Sequence, residues 1–254
     1  MRPWNLGEIS YTEVKSAAFE VAILPLGATE PHNLHLPYGT DTLEVAAVAD
    51  EAARRASGRG ARVIVLPPLP YGTETNLRRF PLAMNLDPTT VAAVVTDLVR
   101  SLESSGIRKC LLLNGHGGND LKWLLRQLHG RTTVHLFLSN WYTVASDLHP
   151  ELFTNPGDHA GELETSMGLA FFPELVRLER ANDGATRPTR FEAVNRGWVT
   201  LTRPWHLLTT ETGAGDPRPA TAEKGRALME VIADRLAGFL VELSEARVDD
   251  AFPF

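Results

Sequence analysis

The sequence predicts an α/β fold with a mainly parallel central sheet covered by helices on both faces. Short apolar runs alternate with longer amphipathic stretches along the chain. The runs are continuously apolar, as strands buried on both faces require. Each pair of runs is separated by enough chain for a crossover helix, the connection that parallel strands need.

Four runs read as strands: residues 21–26, 62–66, 109–113 and 133–138. Residues 42–57, 88–104, 120–129 and 220–244 have helical spacing. Asp87 is placed to cap the second helix, with Pro88 at its first position, where a missing N–H costs nothing. Gly106 follows its end, where a left-handed residue is expected. Residues 141–218 are less regular, punctuated by Trp141, Pro150, Pro156, Pro188, Pro204 and Pro217, and read as excursion loops. No linker, repeat or low-complexity block interrupts the chain, so a single domain over residues 1–254 is expected.

Composition narrows the function. At 254 residues the chain can bury a sizeable core without disulfides or a structural metal. Its one cysteine, Cys110, excludes a disulfide framework and a cysteine-based zinc site. A formal charge of −6 argues against binding a phosphate backbone, because there is no excess of Lys and Arg to displace counterions. Arg2, Glu8, Glu13, Lys15 and Glu20 break any signal-peptide pattern, and no apolar run reaches membrane-spanning length. The expectation is a cytoplasmic protein with a small-molecule substrate and neither nucleic-acid nor membrane partners. Eight histidines among many carboxylates point to oxygen- and nitrogen-ligated metals.

Three constellations carry chemistry. After the first strand come Glu30, His32, His35 and Asp41, within Gly27-Ala-Thr-Glu-Pro-His-Asn-Leu-His-Leu-Pro-Tyr-Gly-Thr-Asp41. Carboxylates and imidazole at the carboxyl end of a strand form a ligand set suited to zinc or manganese. A polar surface loop is the plainer reading, and the density of ligands weighs against it. After the third strand comes Asn114-Gly-His116-Gly-Gly-Asn119, whose glycines allow a tight turn beside the imidazole. No Lys-Ser/Thr pair follows, so it is not a phosphate-binding P-loop. The third is Asp158-His159-Ala-Gly-Glu162-Leu-Glu164-Thr-Ser166, leading into the apolar run 167–172. His159 and Glu162 share a helical face at i, i+3 if both are helical, whereas His159 and Glu164, five apart, do not unless the helix begins near Gly161. Spacing leaves both glutamates open. Together the three loops hold more ligands than one tetrahedral site uses, and suit two adjacent ions sharing a carboxylate.

These motifs, with Gly215-Asp-Pro-Arg-Pro-Ala-Thr-Ala-Glu-Lys-Gly225 before the last helix, resemble the creatininase (creatinine amidohydrolase) family over nearly the whole chain. The resemblance implies a three-layer α/β/α sandwich and two divalent ions per chain, zinc or manganese. It implies hydrolysis of a non-peptide carbon–nitrogen bond by a metal-bound hydroxide, in a homohexamer. Carried onto this sequence, Glu30 and His116 would hold one ion, His32 the other, and Asp41 would bridge them. Creatininase has a glutamate where this chain has Gly118; other branches with the Gly-Gly form make Glu164 the replacement ligand. His159 matches the catalytic histidine, a proton donor or carbonyl polariser.

Two departures bear on the substrate. Phe80-Pro81-Leu82-Ala83 stands where the family often has Phe-Pro-Gly-Thr, and Asn155 replaces a tryptophan four places before the catalytic histidine. Both count against creatinine. The expected substrate is a small cyclic amide or formamide, with Trp141 and Tyr142 available to stack on it, although such a pair also serves packing. The competing readings are a peptidase-like member that trims a short or modified peptide, and a metal-binding homologue without catalysis.

Overall fold

The computed structural model describes residues 1–254. In chain order the elements are α1 (Tyr11–Ser16), β1 (Val21–Leu26), α2 (Thr40–Gly58), β2 (Val63–Val65), α3 (Pro88–Ser104), β3 (Lys109–Asn114), α4 (Lys122–Leu128), β4 (His135–Asn140), α5 (His149–Leu152), α6 (Glu162–Phe171), α7 (Glu192–Asn195), α8 (Trp205–Leu208) and α9 (Ala222–Glu245). The four strands form one parallel sheet in the order β2-β1-β3-β4. Side chains alternate across it, so Val21, Ile23, Val63, Val65, Leu111 and Leu113 pack on α2, α6 and α9. Ala22, Leu24, Leu26, Ile64, Cys110 and Leu112 pack on α3 and α4. The expected three layers are therefore present.

The central strand β1 contains a proline that a mid-sheet position normally excludes. Pro25 fits because β2 is only three residues long and pairs with Val21–Ile23 alone. The missing N–H lies on the side where β2 has already ended, while the Pro25 carbonyl still accepts from Leu69 N–H.

Several details differ from the sequence reading. The last strand runs two residues later, at His135–Asn140, because the Thr133 N–H and hydroxyl are taken by Glu103 at 2.7 and 2.8 Å. Asp87 holds the N-cap position of α3 but makes no capping bond; its carboxylate accepts from Arg78 and Asn85 instead. Gly106 is left-handed, at φ +78°. The irregular region is not all excursion, since α6 lies within it and buries Leu163 and Met167 in the core. Gly225 of α9 makes this packing possible: a Cβ there would stand 2.1 Å from the Ser166 carbonyl oxygen of α6. No helix is long and apolar enough to cross a membrane.

Leu82, at the position where the resemblance expects glycine, is left-handed at φ +58° and 76% exposed. A side chain in that conformation costs about 1–2 kcal/mol, and glycine's extra freedom returns part of the gain. Leu82→Gly is expected to raise stability by about 0.5–1 kcal/mol, read as a higher denaturation midpoint. An unchanged or lower midpoint would refute the strain.

Candidate metal centre

Every loop that builds the site leaves the carboxyl end of a strand, where open α/β sheets place their ligands. Glu30 and His32 follow β1, and Asp41 lies in the first turn of α2. Glu74 follows β2 and His116 follows β3. His159 and Glu164 flank the start of α6. Glu164 is half-buried and the other six are buried.

The loops are tied to one another by amides. Asn119 accepts from Thr73 N–H at 3.0 Å through Oδ1, and its Nδ2 donates to the Gly27 carbonyl and to Asn114 Oδ1. Asn114 in turn donates to the His116 carbonyl at 2.7 Å. Two asparagines thus join the loops after β1, β2 and β3.

Asp41 is central. Its Oδ1 lies 3.4 Å from His32 Nε2, and its Oδ2 lies 3.5 Å from His116 Nδ1. Glu30 Oε1 is 2.9 Å from that same Nδ1. Three sets of ligand atoms lie within 4.8 Å of one another: Glu30, His32 and His159; Glu30, Glu74 and His116; His32, Asp41 and Glu164.

The two glutamates left open by spacing face different ways. Glu162 pairs with Lys224 of α9 and accepts from the N–H groups of Thr154 and Asn155 at 2.9 and 3.1 Å. It anchors the loop before His159. Glu164 faces the cluster and accepts from Ala160 N–H. Ala160 is left-handed at φ +49°, a strained turn between His159 and α6. His159 is bracketed by Ala214 on the other side, the two residues exchanging backbone bonds of 3.1 and 2.8 Å. That bracket and Lys224 are the structural work of the 215–225 segment and its neighbours.

Charge in the centre follows from burial. Burial pushes the Glu30 carboxyl well above its usual range, with His116 pulling the other way. Glu164 is raised to about 7, mainly by burial. Burial disfavours a charged His116, but Glu30, Asp41 and Glu74 outweigh it and lift its pKa. His32 likewise rises to about 10 against burial, chiefly through Asp41. His159 falls to about 3 through burial and the neighbouring His32, 4.2 Å away between ring centroids. Its Nε2 lies 2.9 Å from the Pro31 carbonyl, so the neutral ring carries its proton there and leaves Nδ1 open, 3.7 Å from Glu30.

A cavity of about 210 Å³ opens onto Glu30, Asp41, His116, His159 and Glu164. Tyr142 lines it. Trp141 does not: it is 1% exposed and packs in the core behind, so the expected stacking pair is split. The second aromatic wall is Trp205, 5.4 Å from the His159 ring, with the Arg203 guanidinium 4.9 Å from the Trp205 ring centroid. Sequence reasoning missed Trp205, which lies in the irregular stretch. It also missed Glu74, although Tyr71-Gly-Thr-Glu74 follows a strand as Glu30 does.

His35, the fourth polar group of the first motif, turns away and meets Thr165 Oγ1 at 2.8 Å. Burial lowers its pKa to about 4, helped by the charge on His32. The unfolded ring binds a proton near pH 6.5 and the folded one does not, so stability present above 6.5 is lost as pH falls through about 4. The loss is expected to reach about 2.5 kcal/mol at pH 4.5, and His35→Gln should flatten the stability profile between pH 6.5 and 4.5. An equally steep profile in the variant would place the effect elsewhere.

Residues 7–240 match the profile of the creatininase family, described as creatinine amidohydrolase. A creatinine amidohydrolase of Pseudomonas putida is 29% identical, over 93% of this chain and 96% of that one. A mycofactocin precursor peptide peptidase of Mycobacterium ulcerans (strain Agy99) is 31% identical, over 84% and 81%. Among solved structures, a creatinine amidohydrolase-like protein of Bacteroides fragilis NCTC 9343 superposes with a TM-score of 0.93 at 38% identity, covering 98% of this chain and all of that one. A manganese creatininase gives 0.78 at 27% identity, covering 96% and 99%.

Proposed function

Because this chain belongs to the creatininase family, we propose that it hydrolyses a carbon–nitrogen bond of a small cyclic amide or formamide at the buried cluster. It is an amidohydrolase of that family and a metal-dependent one. The observation that carries the reading is a set of buried ligand atoms without hydrogen-bond partners. Both oxygens of Glu30 and Glu74, Asp41 Oδ2 and His32 Nε2 are among them. Unpaired buried carboxylates cost several kcal/mol, and cations between them would remove that cost. The donor set fits divalent zinc or manganese.

Two ions per chain are part of the proposal. Glu30, Asp41 and His116 would hold one; His32, Asp41 and Glu164 would hold the other. Divalent ions so placed supply Lewis acidity for the scissile carbonyl and lower the pKa of water. The chain's own residues do the rest. His159, neutral and fixed by the Pro31 carbonyl, accepts a proton at Nδ1 and delivers it to the leaving nitrogen. Tyr142 and Trp205 wall the cavity. A cavity of about 210 Å³ favours a compact ring or formamide over an extended peptide.

Assembly as a homo-oligomer, a hexamer by family resemblance, belongs to the same reading. Phe191, Trp198, Val199, Leu201 and Leu207 are exposed in one stretch of chain, which suits burial against another copy. A cytoplasmic location accords with the single buried free thiol, Cys110.

Purified protein is expected to carry close to two divalent ions per chain by elemental analysis, and to open members of a panel of cyclic amides and formamides with zinc or manganese present. His116→Ala is expected to lose at least one ion and most activity. Full metal content and activity in that variant would end the assignment. Selective cleavage of peptides from the same panel would instead favour the peptidase reading.

A further inference from the structure

Arg203 lines the cavity over the metal centre and also lines an adjoining groove of about 600 Å³. Among the 13 residues around that groove are three arginines, Arg187, Arg190 and Arg203, and no carboxylate. The chain as a whole is acidic, at a formal charge of −6, so this cluster goes against its composition. The ion pairs of the surrounding stretch are Arg180–Glu179, Arg196–Glu192 and Arg203–Asp158; Arg187 and Arg190 have none.

Arg203 is oriented without being saturated. Its Nη1 donates to Asp158, the residue before His159, and its guanidinium lies over the Trp205 ring. One carboxylate and one aromatic face fix the planar group, while Nε and Nη2 make no hydrogen bond. Trp205 adds to the same cavity a buried indole N–H that has no partner. Arg187 is tied to this wall by its backbone: its N–H donates to the Leu208 carbonyl at 2.8 Å, and Thr186 bridges Thr209 at the end of α8.

We infer that the substrate carries an anionic group, a carboxylate or a phosphate, away from the scissile bond, and that Arg203 receives it with Arg187 and Arg190 behind. The inference deepens the amidohydrolase reading above and rests on it. The guanidinium fork matches the oxygens of either anion, and hydrogen bonds between charged partners are the strong ones. Asp158 cancels one of the three positive charges, so the groove keeps a field that draws anions to the cavity mouth. A wholly neutral amide would use none of these donors.

The test titrates metal-loaded, full-length protein by calorimetry with carbocyclic ketones, which have no carbon–nitrogen bond to break. Cyclopentanone is compared with the same ring bearing a carboxylate or a phosphonate, attached directly or through a two-carbon arm. The better anion is expected to bind about 10–100-fold more tightly than the neutral ring, by a margin that shrinks as salt is raised. Whether phosphonate or carboxylate gains more identifies the group. Arg203→Gln should abolish the margin, Arg203→Lys should keep part of it, and Arg187→Gln with Arg190→Gln should reduce it about 2–5-fold. Equal affinities for charged and neutral rings, or no binding of any ring, overturn the inference. The amidohydrolase reading is untouched by that result, because metal content and turnover of neutral amides test it separately. The wild-type comparison decides even if a variant fails to fold. Phe191 and Leu207 line the same groove, so a second copy of the chain is the rival occupant. A double variant that elutes as a smaller species with the margin intact would assign Arg187 and Arg190 to that contact and overturn their part.

Discussion

Asp41→Ala is expected to purify with neither ion tightly held and to lose on the order of 10⁴-fold in kcat/KM. Asp41 is the one side chain whose two oxygens face two different histidines, His32 on one side and His116 on the other. Removing any other proposed ligand leaves one half of the centre with its own donors. Removing Asp41 takes a donor from both halves at once. It also removes the anion that opposes the effect of burial on His32. Elemental analysis of the dialysed variant is the direct check. Two ions per chain, retained after dialysis, would show that Asp41 is not shared.

His159→Ala is expected to lower kcat by about 10²–10⁴-fold while leaving metal content near that of wild type. The ring's Nε2 is occupied by the Pro31 carbonyl, and its open Nδ1 is 3.7 Å from Glu30. Its low pKa, about 3, makes it a neutral ring that holds a proton only in passing. The contrast between Asp41→Ala and His159→Ala separates holding ions from moving protons. A His159→Ala enzyme within tenfold of wild type would remove the proton-carrying role, and one that lost both ions would recast His159 as a ligand.

The sheet was legible because its strands are buried on both faces, which leaves continuous apolar runs such as Val21–Leu26 that no surface segment imitates. The first and third motifs were legible for a related reason: ligand types crowded at strand and helix ends are uncommon by chance. Where chain spacing ran out, side-chain direction decided. Glu162 and Glu164 are two residues apart and both acidic, yet only one faces Lys224, and that partner is sixty-two residues away. Trp141 and Tyr142 are neighbours in sequence, but a tight 3₁₀ turn of the chain after β4 sends one into the core and the other to the cavity. Glu74 was missed because a lone acidic residue in a polar loop carries no signature; its meaning comes from an imidazole that reaches it from another strand's end. Trp205 belongs to a stretch with no periodicity from which a direction can be read.

The amide of Asn119 reaches the loops that follow three different strands. Those loops therefore cannot vary as independent cassettes. Exchanging residues 70–85 with the equivalent segment of a relative, in the hope of importing its substrate preference, would shift Thr73 against Asn119 and through it the backbone at Gly27. Specificity in this scaffold should diversify instead where that amide does not reach, along the walls contributed by Tyr142, Arg203 and Trp205.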